Sequence, residues 1–197
     1  KQCKNYFTEY NRSITLDIFK VKTSEIQNDI LKTAIVETLR EVYQHLESAD
    51  LDFVQDNHSL SREVGTIRGL HFQSPPHAQG KLVRCGHGVL YDVAVDVRVG
   101  SPTYGHWTGA ELSFENGRQL WVPAGFLHGF LTLTDDTEIC YKCTDHYAPE
   151  CDGAVRWDSC GIDWPMPEGL TPLLSDKDAA AQSLADFKSP FNWEGAA

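Results

Sequence analysis

Glycine and proline are absent from residues 1–50, and all 15 glycines and all 9 prolines of the chain lie beyond them. These are the residues that break helices and reverse strands. The second part must therefore be built from short elements joined by tight turns. The change in composition divides the chain into residues 1–50 and residues 51–197, the latter large enough for one domain with a core of its own. In the first part, Leu31, Ile35, Leu39, Val42 and Leu46 recur at helical spacing. Ser24 and Gln27 open that run as a capping box. The spacing predicts a helix over residues 24–46 whose apolar stripe packs on the domain or on a partner subunit.

Beyond residue 51 the periodicity falls to two. Val89, Tyr91, Val93, Val95 and Val97 alternate with Asp92, Asp96 and Arg98, which predicts a strand with one apolar and one polar face. Residues 120–122, 130–133 and 138–144 read as further strands. Ser101-Pro102, Glu115-Asn116-Gly117 and Pro123-Ala124-Gly125 punctuate them. Short strands with regular turn signals favour an all-β barrel or jelly roll. After Cys160 the chain reads as loop, then as a short helix over residues 176–187, with Ser175 as cap and Asp176 and Asp178 in its first turn.

The net charge of −11 argues against nucleic-acid binding as the main task, but leaves room for a small phosphate-bearing ligand held by a local Arg/Lys pair. No apolar run is long enough for a membrane helix, and the polar first residues carry no signal-peptide core, so a cytoplasmic protein is expected. Cys140-x-x-Cys143 has zinc-like spacing, yet no second pair follows. On a strand, residues three apart point to opposite faces. Reduced thiols are the expected state of the six cysteines.

Two spaced half-motifs carry the functional signal. Gly65 is followed after five residues by His71-Phe72-Gln73, and Gly117 by Pro123-x-Gly125-x-x-His128. The pair resembles the cupin signature, in which two hairpins of a small jelly roll carry inward metal ligands. That signature has His-x-His followed by Glu; here Gln73 fills the second His position, and His77 or Ala78 stands in place of Glu. A divalent ion needs three or four converging ligands, and two histidines hold it poorly. A metal-dependent dioxygenase is thus disfavoured, and chemistry without metal or cofactor is expected. Singly, His71 reads as a core histidine, Lys81 as solvated surface and Tyr141 as strand packing. Together they suit proton abstraction beside a ketone: a base near neutral pKa, a cation for the enolate oxygen, and an acid on the opposite face.

Longer blocks carry a closer resemblance. Phe53-Val-Gln-Asp-Asn57-His-Ser59, Ile67-Arg-Gly-Leu-His-Phe-Gln73, Ala78-Gln-Gly-Lys-Leu-Val-Arg84, Tyr91-Asp-Val-Ala-Val-Asp-Val-Arg98, Gln119-Leu-Trp-Val-Pro-Ala-Gly-Phe-Leu-His-Gly-Phe130, Tyr147-Ala-Pro149 and Leu174-Ser-Asp-Lys-Asp178 are similar, in order, to the dTDP-4-dehydrorhamnose 3,5-epimerase family. The resemblance spans about residues 51 to 180. It implies a cupin-type jelly roll, usually homodimeric. It also implies metal-free epimerisation, at C3 and C5, of a dTDP-4-keto-6-deoxyhexose on the route to deoxysugars such as rhamnose. It implies His71 as general base, Asp178 as the carboxylate orienting it, Tyr141 as general acid and Lys81 at the enolate oxygen. It further implies Arg68 at the diphosphate, Tyr147 stacked on thymine, and Gln55, Asn57, His128, Asp152 and Lys177 as ligand contacts. Asp152 stands where the family carries Glu. The family's opening Asp-x-Arg-Gly-Phe-Phe-x-Glu segment is matched only by Lys4-Asn-Tyr-Phe-Thr-Glu9, so no site residue is expected from residues 1–50. A single-carbon epimerase, a 3,4-ketoisomerase and a non-catalytic sugar-nucleotide-binding cupin are the alternatives.

Overall fold

The computed structural model describes residues 52–195. The helix expected over residues 24–46 lies outside them. Among the described residues, nine strands form two antiparallel sheets. They are β1 (Gln55–Ser61), β2 (Ile67–Gln73), β3 (Lys81–His87), β4 (Val89–Asp96), β5 (Trp107–Ser113), β6 (Gln119–Val122), β7 (Phe126–Thr132), β8 (Thr137–Cys143) and β9 (Asp152–Ala154). One sheet runs β1-β8-β3-β6 and the other β5-β4-β7-β2-β9. Strands 1 and 8, 2 and 7, 3 and 6, and 4 and 5 pair as nested partners. That nesting is a long hairpin rolled over into a jelly roll, the cupin-type barrel expected from the sequence. No described helix is long and apolar enough to cross a membrane.

Alternation sorts the side chains into two cores. Val83, Cys85, Leu90, Ala94, Leu112, Leu120, Val122, Phe130 and Ile139 fill the space between the sheets. Leu70, Val93, Val95, Val97, Leu127 and Val155 face outward from the five-stranded sheet and are covered by Cys160, Phe187 and Phe191 of the C-terminal segment. Strand β4 therefore lies between two cores. The polar face read for it is not solvated: Asp92 and Asp96 are both buried. A central strand of a covered sheet is apolar-lined on both sides, and a carboxylate there survives only with partners. Asp96 has them: Arg98, Ser101 and Thr103 all donate to it, fixing the loop after β4.

Strand β2 is bulged. Arg68 pairs with Phe130 and His71 with His128, so Gly69 and Leu70 together face Gly129 alone. A plain alternation would set Arg68 opposite in face to His71; the extra residue puts both on the inner face, while Leu70 turns out to the second core. The bulge needs its glycines. Gly69 has φ 121°, and a Cβ on Gly129 would meet the Arg68 carbonyl at 2.8 Å. The C-terminal helix is shorter than the composition suggested. Helix α1 is a single turn, Asp176–Ala179, because the chain leaves it to bridge Gln182 to Val155 and to bury Phe187.

Candidate active site

The pocket-facing side chains come from both sheets at one end of the inter-sheet space. From the five-stranded sheet come Arg68, His71 and Gln73 of β2 and His128 of β7. From the four-stranded sheet come Gln55 and Asn57 of β1, Lys81 of β3 and Tyr141 of β8. Cross-strand partners share a face, and the register pairs His71 with His128, Asn57 with Tyr141, and Lys81 with Cys143. Across the gap, the His128 and Tyr141 rings meet edge to face at 6.2 Å, and the Lys81 ammonium lies 6.0 Å from the Tyr141 ring centre.

His71 bonds through Nε2 to Asp178 Oδ1 at 2.5 Å. The imidazole is about a third exposed and the carboxylate buried (32 % and 2 %). Asp178 reaches it from α1, where Ser175 both caps the helix, accepting from Asp178 N, and donates Oγ–H to Asp178 Oδ2 at 2.8 Å. Burial alone would raise the Asp178 carboxyl; the bonds from His71, Ser175 and the Gly69 backbone outweigh it and hold the group below the ordinary carboxylate range. An ionised acceptor at Nε2 keeps the ring proton there and leaves Nδ1 as the free base.

Lys81 is pulled below the ordinary lysine range by burial, against which Cys143 and the Asp152 and Asp92 carboxylates act. Burial likewise pushes the Tyr141 phenol up, so it keeps its proton at neutral pH. Cys143 and Cys140 lie on opposite faces of β8: Cys143 accepts from Asn57 Nδ2 inside at 3.4 Å, while Cys140 pairs in register with Arg84 and His58. The thiols of all five described cysteines are free.

His128 and Asp92 form a second imidazole–carboxylate pair, Nε2 to Oδ1 at 2.8 Å, with both groups buried. The other Asp92 oxygen has no hydrogen-bond partner among the described residues, and Lys81 feels its charge. Sequence reasoning missed Asp92, although a carboxylate among valines was the available signal. It also missed Ser175 as a partner of the Asp178 carboxylate and Gln73 as anything but a defective ligand. At the rim, Asp152 accepts from Lys177 and from Tyr147 Oη at 3.3 Å. Tyr147 itself is 56 % exposed, its backbone N–H held by Gln55 Oε1 at 2.8 Å. Arg68 donates to Ser61 at 3.4 Å and otherwise faces the cavity beside Tyr141. The contacts thus join His71 to Asp178, Tyr141 to His128 and to Lys81, and Asp152 to Lys177 and Tyr147, with Tyr147 in turn held by Gln55 and Gln55 bonded to Asn57.

Comparison with known proteins gives a consistent result. A sequence model of the family described as dTDP-4-dehydrorhamnose 3,5-epimerase matches residues 31–186. The chain is 56 % identical over 159 residues to a dTDP-4-dehydrorhamnose 3,5-epimerase of Sinorhizobium fredii, covering 80 % of each chain. Among solved structures it is similar to the dTDP-6-deoxy-D-glucose-3,5-epimerase of Legionella pneumophila in complex with dTDP-4-keto-L-rhamnose, with 45 % identity, a TM-score of 0.70, and 78 % and 82 % of the two chains covered. The likeness extends to a 3'-monoepimerase from Streptomyces bikiniensis in complex with dTDP-quinovose, at 37 % identity and a TM-score of 0.67, with 74 % and 73 % covered.

Proposed function

The chain belongs to the dTDP-4-dehydrorhamnose 3,5-epimerase family, and from that premise we propose how its barrel inverts a dTDP-4-keto-6-deoxyhexose at C3 and C5. Both carbons adjoin the C4 ketone, so each C–H is acidified and each carbanion is an enolate. His71, proton-free at Nδ1, removes the hydrogen. Asp178 stabilises the imidazolium that forms. The Lys81 ammonium faces the C4 oxygen as charge develops there, in a setting dry enough for that attraction to be strong. Tyr141 returns a proton to the other side of the carbon, and both groups recover their starting states by exchange with solvent through the exposed edge of His71. Arg68 holds the diphosphate, a task suited to a bidentate guanidinium. Tyr147 stacks on the thymine, and Gln55, Asn57, His128, Asp152 and Lys177 complete the ligand contacts.

The observation that carries the reading is the placement of base and acid on facing sheets, His71 on β2 and Tyr141 on β8, with Lys81 beside the acid. A base and an acid on opposite sides of one carbon invert it; on one side they would only exchange its hydrogen. The experiment is NMR of dTDP-4-keto-6-deoxyglucose with the protein in deuterated water. Deuterium is expected at C3 and at C5. Its absence from one carbon would make the protein a single-carbon epimerase, and its absence from both would sink the reading. The cytoplasmic homodimer expected from the family stays part of this proposal, and sedimentation analysis gives the mass that checks the dimer.

A further inference from the structure

Gln73 has no task in the chemistry above, yet it is among the most constrained polar side chains in the barrel. It is 5 % exposed. Its Nε2 donates to the His77 carbonyl and to the His146 carbonyl, the latter at 2.9 Å, and its Oε1 accepts from Ala148 N at 2.9 Å. The amide orientation is fixed by this pattern, since a flip would set its oxygen against two carbonyls. Residues 145–148 join β8 to the turn at Pro149–Cys151 and have no strand partners among the described residues. Side chains hold their backbone instead. Gln79 Nε2 donates to the Asp145 carbonyl at 2.7 Å, and Gln55 Oε1 accepts from Tyr147 N at 2.8 Å. His77 Nδ1 lies 3.2 Å from Asp145 Oδ2. Three glutamines from three different segments thus hold every residue of the stretch that presents the exposed Tyr147 ring.

We propose that Gln73 is a positioning residue for nucleotide recognition: it locks the Asp145–Ala148 backbone so that the Tyr147 ring stands preorganised for the base. The inference rests on the reading of Tyr147 as the stacking residue. A ring on a loose segment must be ordered at each binding event, and that ordering is subtracted from affinity. A buried amide spanning the residues on either side of the tyrosine removes the loss in advance. The position where the related metal barrels place a histidine ligand has been given over to fixing a loop.

The test is calorimetric titration of dTDP and of inorganic pyrophosphate into the wild type, Gln73→Ala, Tyr147→Ala and the double variant. Stacking on an aromatic side chain is worth roughly 5- to 150-fold in affinity. Gln73→Ala is expected to weaken dTDP about 10-fold, within that range, and to leave pyrophosphate unchanged. KM for the keto sugar rises in step, and kcat at saturation holds. The double variant should bind dTDP no worse than Tyr147→Ala, because Gln73 acts through the ring. Wild-type affinity in Gln73→Ala, or losses that multiply in the double variant, would overturn the inference. If Gln73→Ala does not fold, Gln79→Ala replaces it: a loss confined to dTDP supports the clamp, and unchanged affinity overturns it. Full dTDP affinity in Tyr147→Ala would instead remove the stacking reading itself, and the clamp's role with it.

Discussion

Replacing Asp178 by Asn tests the base directly, and the surroundings dictate how. Ser175 donates its hydroxyl to Asp178 Oδ2 at 2.8 Å, and His71 bonds the other oxygen at 2.5 Å. An asparagine must still give Ser175 an acceptor, so its carbonyl turns to Ser175 and its amide N–H turns to His71. Nε2 then has to accept, the ring proton moves to Nδ1, and the base loses the lone pair that faces the substrate. The lost charge on the imidazolium alone is worth about 1.5–3 kcal/mol, or roughly 10- to 150-fold. With the tautomer reversed, the total loss is expected at about 10²–10⁴ in the rate of deuterium entry at C3 and C5. Removing Ser175 as well frees the amide to rotate and offer its oxygen to His71. The Asp178→Asn, Ser175→Ala double variant should therefore exchange faster than Asp178→Asn alone, despite losing a helix cap worth ~1 kcal/mol. Exchange is read by NMR in deuterated water on protein whose thermal transition is intact. A single variant within 10-fold of wild type, or a double variant no faster than the single, would refute the reasoning.

Tyr141→Phe should continue to take up deuterium while losing most inversion, because His71 can return a deuteron to the face from which it took the proton; equal loss of both, by NMR and product analysis, would argue against the opposite-face acid. Burial sets Lys81 below its ordinary 10.5 and Tyr141 above its ordinary 10.0, so the alkaline limb of kcat/KM should belong to the ammonium. Asp92→Asn withdraws a carboxylate that sustains that ammonium, so the limb should move to lower pH; a limb that stays or rises would count against the pairing. Burial raises the Asp96 carboxyl, but Arg98, Ser101 and Thr103 together outweigh it and hold the group below 3.8. Its stabilisation is complete above that value and is lost as the pH falls through the lower, folded pKa. The melting temperature should therefore drop in that acidic range, and the drop should shrink in Asp96→Asn.

The barrel was legible because its turns were: Gly and Pro spacing and the alternation around residues 89–97 depend only on neighbours along the chain. The grouping of the candidate site was legible in part. His71, Lys81 and Tyr141 could be grouped by what a carbon acid needs, but only family resemblance brought Asp178 to His71 from 107 positions away. The errors share a cause. Period-two counting along β4 reports that Asp92 and Asp96 share a face, not that this face, with Leu90 and Ala94, turns inward to the space between the sheets. The helix expected over residues 176–187 stops after one turn because Gln182 and Phe187 are claimed by distant partners, a tertiary demand that local propensity does not encode. Gln73 looked like a lost ligand because its three hydrogen-bond partners are backbone groups, which any sequence supplies.

Among the described residues the last strand of the sheets ends at Ala154, whereas Asp178 comes 24 residues later (178 − 154), on a segment tied down by the Thr66–Leu173 and Val155–Gln182 bridges and by Phe187 and Phe191. The strands that form the sheets and the carboxylate that His71 bonds therefore come from separate stretches of the chain. If His71 is the base proposed above, a barrel whose C-terminal segment has not docked should be inert toward keto sugars. On that reading, catalytic competence would report on the docked C-terminal segment as well as on the sheets.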